Sequence, residues 1–196
     1  MHKGTELKVI CDFINAQKKA RILDYGCDSG FLLESIRKKY PSQHYEVCGA
    51  DINEHALAYA RKKYPSFTFF DINDAFFEKE RFDVVILSHV LEHIPDREKL
   101  VNNLKKLLNT HGTLIIVVPQ ERIRGDCTIP EILYNVIRFR FENPHLVKIN
   151  FDALRELLAT QGFQIKKHKY LHLFPPFVTD KRRIDSWSLV TVSVLK

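Results

Sequence analysis

The sequence predicts an α/β fold with a seven-stranded, mostly parallel sheet and helices on both of its faces. Short apolar runs alternate with segments of helical periodicity, the pattern of parallel strands joined by right-handed crossovers. One run, Phe82–Ser88, is almost continuously apolar, which is typical of a central strand buried on both faces. The last run, WSLVTVSVL, alternates small polar with apolar residues and therefore suits an edge or an antiparallel partner.

Length and composition favour one domain. The chain has 196 residues, of which 45% are hydrophobic and 28% are charged, and these values predict a single folded domain over residues 1–196. No apolar run approaches the ~20 residues of a membrane span, and the amino terminus lacks a small-residue cleavage site, so we expect a cytoplasmic protein. The four cysteines form no Cys-x-x-Cys pair, so neither a zinc site nor a disulfide framework is predicted.

The first unit of the predicted fold is a helix, a strand and a glycine-containing loop. Apolar residues recur at helical spacing between residues 5 and 17. A short strand then ends at Asp24, and Gly26, Asp28 and Gly30 form a turn before the next helix. A turn of this kind at the carboxyl end of a parallel strand is a natural ligand seat. Because Asp24 and Asp28 would repel a phosphate, the loop favours a ligand with a cationic end.

Acidic residues also end the second and third predicted strands. Residues 44–51 form a strand that closes with Asp51, and Asn53 caps the helix that follows. An acid at this position can accept hydrogen bonds from both hydroxyls of a ribose, as in dinucleotide-binding folds. The alternative is an acid that interacts only with the helix dipole. Residues 66–72 form the third strand, and Asp71 near its end could equally cap the following loop.

The second half of the chain continues the alternation of strands and helices. In order, we predict a strand at 82–88, a helix at 97–108, a helix stop at 109–112, a strand at 113–119, a helix at 151–160 and strands at 162–173 and 187–195. An insert at about 120–150 interrupts the pattern. Long connections at the carboxyl edge of such a sheet tend to contact substrate, although a structural helix over the core is an equal expectation.

Two regions of the chain resemble the class I (Rossmann-like) S-adenosylmethionine-dependent methyltransferases of small-molecule type. The first motif of that family reads acidic-x-Gly-x-Gly-x-Gly; Asp24, Gly26 and Gly30 match it, and Asp28 stands in place of the middle glycine. The order FDVV, VLEHIPD, helix and HGTLIIVVP is similar to the family over a longer and more specific stretch. The resemblance implies S-adenosyl-L-methionine as cofactor and a seventh strand that lies antiparallel beside the fifth.

The resemblance also implies which residues bind the cofactor. They are Asp24, Gly26, Asp28, Gly30, Asp51, Ile52, Asp71, Ile72 and Ser88. Among them, Asp51 would bind the ribose. The carboxylate of Asp71 would take the adenine amine, and Ile72 and Ile52 would lie against the two faces of the base.

Histidines are the candidate general bases. His89, next to the fourth strand, and His145, in the insert, could take a proton from an oxygen or nitrogen acceptor near neutral pH, although packing is the commoner role of a histidine. His89 and His93 are spaced to share a metal ion, but no third ligand accompanies them, so no metal site is predicted. By resemblance, His93 in the LEH triplet is structural.

The expected activity is methyl transfer to an oxygen or nitrogen of a small metabolite, by a monomer or homodimer. Basic side chains in the insert and the carboxyl third suggest an anionic acceptor, although a solvated surface explains them as well. They are Arg122, Arg124, Arg138, Arg140, Lys166, Lys167, Lys169, Lys181, Arg182 and Arg183.

Three other functions remain open at this point. The basic residues also suit an RNA or DNA methyltransferase, although the fourth strand lacks the Asn/Asp-Pro-Pro-aromatic motif of enzymes that methylate base amines. A cofactor-binding or cofactor-free partner protein without activity is expected if Asp28 closes the site. A nicotinamide dehydrogenase fits least, because Asp28 and Phe31 stand where its glycines would fall.

Overall fold

The computed structural model describes residues 2–14, 19–41, 44–120, 149–172, 177–183 and 186–196. Its helices and strands are, in chain order, α1 (His2–Ile14), β1 (Lys19–Tyr25), α2 (Phe31–Lys39), β2 (His44–Asp51), α3 (Glu54–Lys63), β3 (Thr68–Asp71), β4 (Phe82–Ser88), α4 (Arg97–Leu107), β5 (Leu108–Pro119), α5 (Phe151–Thr160), β6 (Phe163–His172), β7 (Val178–Thr179) and β8 (Ser186–Leu195). Short 3-10 turns at Phe77–Lys79 and Leu91–His93 precede and follow β4.

One sheet runs through the described part of the chain, with the strand order β3-β2-β1-β4-β5-β8-β6-β7. Strands β1 to β5 are parallel to one another, and β8 runs antiparallel between β5 and β6. The predicted α/β fold and the antiparallel last strand beside the fifth are confirmed. The winding of the sheet reverses between β1 and β4, and open parallel sheets bind ligands at the carboxyl ends of the strands beside such a reversal.

The sheet has eight strands in the described residues, where the sequence predicts seven. The additional strand, β7, comprises only Val178 and Thr179, which pair with Leu171 and Tyr170 of β6. Two residues are too few to show an alternation of apolar and polar positions, so the sequence pattern could not reveal this strand.

Strand β5 begins five residues before its predicted start. The sequence predicts that residues 109–112 end α4, whereas they continue β5 from Leu108. Phe82 pairs with Leu108, but Val84 pairs with Thr113. The register therefore advances by five residues along β5 while it advances by two along β4. The surplus residues form an irregular bulge, which lets a polar, turn-like sequence remain within a strand.

Helices cover both faces of the sheet because alternate residues of a strand point to opposite faces. On β4, Val84 and Ile86 belong to the hydrophobic cluster that includes residues of α1, α2 and α3. Val85 and Leu87 belong to the cluster that includes residues of α4 and α5. Helix α1 therefore lies on one face of the sheet, and its position near the end of β4 matters for the site described next.

The described helices lie close to their predicted positions. Helix α1 spans His2–Ile14 instead of residues 5–17, and residues 15–18 fall outside the described ranges. The side chains of Asn53 and Asn150 cap α3 and α5 by accepting backbone N–H groups of the first turn. Among these helices, none combines the length and apolar character that crossing a membrane requires.

Candidate active site at the carboxyl edge of the sheet

The loop after β1 has the left-handed turns that its glycines predict. Gly26 and Gly30 have φ angles of 83° and 78°, and Asp28 between them has a φ of 45°, a region that aspartate enters more readily than most residues. The N–H groups of Gly26 and Cys27 donate to the carbonyl of Ala50 at 2.7 and 3.1 Å, which ties the loop to the end of β2. The turn therefore forms although Asp28 replaces a glycine of the resembled motif.

Close packing inside the protein explains two glycines near this loop. A Cβ atom on Gly26 would lie 2.4 Å from Cγ2 of Val90, in the segment after β4. A Cβ atom on Gly49, in β2, would lie 2.6 Å from Sγ of Cys27. The sequence predicts that Gly26 serves the turn and the approach of a ligand, and no sequence pattern marks Gly49. Both glycines allow neighbouring strand ends to pack closely.

Asp51 links the loop after β1 to the end of β2. Its Oδ2 accepts the N–H of Asp28 at 2.8 Å, and its Oδ1 accepts the N–H of Asn53 at 2.9 Å. Each carboxylate oxygen has a second lone pair, and the residue is only half-buried. Asp51 can therefore still accept hydrogen bonds from a ligand, as its predicted ribose-binding role requires.

Asp24 lies inside the protein at the end of β1 and is only 3% exposed. Burial and, to a lesser extent, the charge of Asp51 raise the pKa of the Asp24 carboxyl to about 7. A nearby cation would stabilise the charged form of such a carboxyl. This strand end therefore favours a ligand that brings positive charge, which is the ligand type that the acidic loop predicts.

The end of β3 lies beside the end of β2, since Asp71 pairs with Asp51 in the sheet. Oδ1 of Asp71 accepts the N–H of Asn73 at 2.8 Å, which is the loop-capping bond that the sequence leaves as an alternative. The N–H of Ile72 donates to the carbonyl of Asp51 at 3.2 Å. Ile52 is 70% exposed and offers apolar surface at this edge. Because only Oδ1 of Asp71 is used in this loop-capping bond, Oδ2 could still accept a hydrogen bond from the adenine amine.

The end of β4 carries Ser88 and His89, which lie beside β5. Ser88 is half-buried and pairs with Val117 in the sheet. The N–H of His89 donates to the carbonyl of Val117 at 3.1 Å. His89 has a φ of 55°, an uncommon value for a residue other than glycine. These contacts fix the backbone at the point where β4 ends.

The ring of His89 lies between two carboxylates. Its Nε2–H donates to both oxygens of Glu6 at 3.1 Å, and its Nδ1 lies 3.5 Å from Oε1 of Glu92. Burial of the ring opposes its charge, but the hydrogen bond to Glu6 and the nearby carboxylates of Glu6 and Glu92 outweigh burial and raise the pKa of His89 to about 10. The ring is therefore an imidazolium at neutral pH, with no lone pair to accept a proton. This geometry argues against the predicted role of His89 as a general base.

The second predicted base, His145, lies outside the described residues. So do four of the basic residues expected to contact the acceptor, Arg122, Arg124, Arg138 and Arg140. The roles assigned to this insert stay predictions.

His93 ends the 3-10 turn Leu91–His93, so the α-helical spacing from His89 that the sequence suggests does not occur. Across the described ranges, no group of three or more His, Cys, Asp or Glu side chains is arranged to hold a metal ion.

Sequence reasoning misses Glu6 and Ser188, although one signal was available. Glu6 lies four and eight residues before Ile10 and Ile14 and therefore shares the apolar face of α1. A lone acid on a face that becomes buried needs a partner. The spacing could not name that partner, because His89 and Ser188 are 83 and 182 residues away.

Comparison with known sequences finds methyltransferases. The chain matches the family model described as "Methyltransferase domain" over residues 5–168. It is 32% identical over 124 residues to a ubiquinone biosynthesis O-methyltransferase of Pasteurella multocida, a match that covers 55% of this chain and 50% of that protein. It is 28% identical over 103 residues to juvenile hormone acid O-methyltransferase of Bombyx mori, which covers 50% of this chain and 37% of that protein. The chain spans about half the length of the curated relatives it matches.

Solved structures share the fold. Magnesium protoporphyrin IX methyltransferase of Synechocystis PCC 6803, solved with bound SAH, aligns with a TM-score of 0.66 and 16% identity over 98% of this chain and 83% of that one. A TehB-like SAM-dependent methyltransferase of Corynebacterium glutamicum aligns with a TM-score of 0.65 and 17% identity over 97% of this chain and 88% of that one.

Proposed function

The chain belongs to the class I S-adenosylmethionine-dependent methyltransferases, and from this premise we propose that it transfers a methyl group from that cofactor to an oxygen of a small, anionic molecule. The observation that carries the proposal is a row of carboxyl groups at the carboxyl ends of β1, β2 and β3, supplied by Asp24, Asp51 and Asp71. Three acids at adjacent strand ends suit a ligand with a cationic end, because a nearby cation stabilises their charged forms.

The described residues at this edge fit S-adenosylmethionine. Asp51 keeps acceptor capacity for two ribose hydroxyls after it has accepted two backbone N–H groups. Ile52 offers exposed apolar surface to the adenine, and Asp71 offers a carboxylate to the adenine amine. The buried carboxyl of Asp24 gains from a cationic sulfur or amino group nearby. The contacts assigned to Gly26, Asp28, Gly30, Ile72 and Ser88 remain part of the proposal.

Methyl transfer requires the protein mainly to align the acceptor atom with the methyl group of the cofactor. When bound, the cofactor supplies a methyl group on a positively charged sulfur. The rest of the cofactor is a good leaving group, because it leaves as a neutral thioether. The protein must hold the acceptor atom in line with that methyl, since correct alignment contributes most of the catalysis in such a displacement. The ends of β1 to β3 hold the cofactor side, and we assign the acceptor side to the ends of β4 and β5 together with the insert at about 120–150.

If the acceptor is a hydroxyl, a base other than His89 must remove its proton. The pair with Glu6 raises the pKa of His89 to about 10, which disfavours the neutral imidazole that a base requires. His145 of the insert is the candidate that remains. An acceptor that arrives ionised, as a carboxylate does, needs no base at all.

Two observations support an oxygen acceptor on an anionic molecule. The relatives described above are named as O-methyltransferases, and one of them is named for an acid substrate. Five basic side chains between residues 166 and 183 are exposed, and a basic surface attracts anions. They are Lys166, Lys167, Lys181, Arg182 and Arg183.

The same basic surface favours an RNA methyltransferase as the second candidate. Binding to RNA would weaken steeply as salt rises, because each neutralised phosphate releases counterions. A protein that binds the cofactor without any methyl transfer is the third candidate. Oligomeric state and cytoplasmic location stay predictions.

Methyl transfer from isotopically labelled S-adenosylmethionine to a panel of acceptors tests the proposal. The panel contains carboxylic acids, phenols, amines and total RNA, and the variant Asp51→Asn serves as the control with an impaired cofactor site. We expect label in a carboxylic acid or phenol with the natural protein and much less with the variant. Label in RNA alone would establish the second candidate, and no label despite measured cofactor binding would establish the third.

A further inference from the structure

A buried acid on α1 contacts the end of β4 and the start of β8. Glu6 is 8% exposed, and both of its carboxylate oxygens accept the Nε2–H of His89 at 3.1 Å. The hydroxyl of Ser188, which is fully buried, donates to Oε2 of Glu6 at 2.9 Å. On the far side of the ring, Nδ1 of His89 lies 3.5 Å from the buried Glu92. These four residues are termed the Glu6 cluster.

The Glu6 cluster joins elements at the edge where the cofactor is proposed to bind. His89 directly follows β4, and Ser188 lies in β8 opposite Pro119, the last residue of β5. The residue after His89 is Val90, whose Cγ2 lies 2.4 Å from the position that a Cβ of Gly26 would take. A displacement of the His89 segment would therefore move the side chain that packs on the loop after β1.

Electrostatics make this contact difficult to replace. A charge removed from water is costly unless an opposite charge or good hydrogen bonds compensate it. Glu6 contributes the closer of the two carboxylates to His89, with a hydrogen bond to Nε2–H. Without that charge, the nearest carboxylate to the ring among the described residues would be Glu92, at 3.5 Å, and the anchor between α1 and β4 would depend on the protonation of His89.

We propose that Glu6 is a positioning residue that holds His89 as an imidazolium and so fixes the end of β4, with Val90, against the cofactor-binding loop. This inference rests on the proposed function, since it gives the loop after β1 a ligand. It adds a role for α1: the helix that reaches the site from the amino terminus sets the geometry of the strand end on which the loop packs.

A role in packing alone makes a different prediction. If Glu6 only stabilised the fold, its replacement would lower the unfolding free energy but leave cofactor affinity with the same dependence on pH. A positioning role makes the affinity of the variant depend on the charge of His89. Within the described ranges, the charged groups that face His89 are Glu6 from α1 and Glu92 from the 3-10 turn, and Ser188 from β8 donates a hydrogen bond to Glu6.

The variant Glu6→Gln is the direct test, with S-adenosylhomocysteine as the probe. Calorimetry at pH 6 and pH 9 measures the affinity of each protein for S-adenosylhomocysteine, and the ratio of the two affinities is compared between the pH values. Groups that titrate alike in both proteins, such as Asp24, cancel from this ratio. NMR titration of the His89 ring nitrogens in each protein measures the pKa of His89 directly. Asp12→Asn is the matched control, because Asp12 is an exposed acid of the same helix, 3.7 Å from Lys39.

We expect the pKa of His89 to fall by about 1–3 units in Glu6→Gln, the usual effect of removing an adjacent opposite charge. Affinity should match the natural protein at pH 6, where His89 is charged in both, and be about 2- to 30-fold weaker at pH 9. Glu6→Asp should restore part of the loss, and Asp12→Asn should behave like the natural protein.

Other outcomes overturn the inference. A His89 pKa near its ordinary value of 6.5 in the natural protein contradicts it even if Glu6→Gln does not fold. An affinity ratio that stays at one at both pH values contradicts the positioning role alone. Failure of the natural protein to bind S-adenosylhomocysteine would instead remove the proposed function, and with it the loop that Glu6 is said to position.

Discussion

Replacement of Asp51 by asparagine tests the cofactor site with little change in side-chain shape. The carboxylate accepts the N–H of Asp28 at 2.8 Å and the N–H of Asn53 at 2.9 Å. An amide keeps one acceptor oxygen and places an NH2 donor at the other position. If the amide oxygen accepts the N–H of Asn53, the NH2 group faces the N–H of Asp28. The side chain then has one acceptor fewer for the hydroxyls of the proposed ribose.

The size of the effect follows from the loss of a charge-assisted hydrogen bond. Hydrogen bonds to charged groups contribute about 1.5–3 kcal/mol each. At about 1.4 kcal/mol per factor of ten, the loss of one bond to the ribose should weaken binding of S-adenosylhomocysteine by about 10- to 150-fold. The negative charge of Asp51 also raises the pKa of Asp24, so the same variant should lower that pKa.

Calorimetry with S-adenosylhomocysteine measures the effect, and Asp74→Asn provides the control. Asp74 also accepts a backbone N–H, that of Phe76 at 2.9 Å, and it lies in the loop after β3 without a proposed ligand contact. We expect Asp74→Asn to bind as the natural protein does. If folded Asp51→Asn binds within about twofold of the natural protein, where one such hydrogen bond should account for at least tenfold, the assignment of Asp51 to the ribose is wrong.

Three further predictions concern stability, and urea unfolding measures each of them. Gly26→Ala should lower the unfolding free energy by at least about 1–2 kcal/mol, because an L side chain resists the φ of 83° and its Cβ would lie 2.4 Å from Val90; an unchanged midpoint would contradict this, and Val90→Ala should restore part of the loss. Gly4→Ala, in helix α1 with nothing within 4 Å of the new Cβ, should raise the unfolding free energy by about 0.5–1 kcal/mol. The pKa of Asp24 is about 7 in the folded protein and 3.8 ordinarily, so the unfolded chain loses this proton at lower pH than the folded protein does. The unfolding free energy should therefore fall as pH rises between these two values. Asp24→Asn should remove this slope and be more stable than the natural protein at pH 8 by up to about 4 kcal/mol; parallel pH profiles for the two proteins would contradict the burial of a neutral carboxyl.

Local patterns in the sequence identify the strands and helices that build the site. The run Phe82–Ser88 is almost continuously apolar because both faces of β4 are covered, and its predicted bounds agree with the structure. The acids Asp24, Asp51 and Asp71 end successive strands, so parallel pairing alone brings them to one edge. Their proximity required only the fold class and the order of the strands.

Features that depend on distant contacts could not be predicted. The pairing of Glu6 with His89 and Ser188 joins three elements through single side chains, and no periodic pattern records such a contact. Because this contact raises the pKa of His89, it argues against the predicted role of this histidine as a base. Gly49 is a similar case, since its role depends on the position of Cys27 in another element.

Binding of S-adenosylhomocysteine to the natural protein, measured by calorimetry with ATP as the comparison ligand, tests the central claim most directly. The carboxylates at the ends of β1 to β3 should accept the nucleoside with its amino-acid side chain and reject a triphosphate by charge repulsion. We predict saturable binding of one S-adenosylhomocysteine molecule per chain and no binding of ATP. Absence of heat with S-adenosylhomocysteine at high concentration, or preference for ATP, would contradict the assignment of this edge to the methyl-donating cofactor.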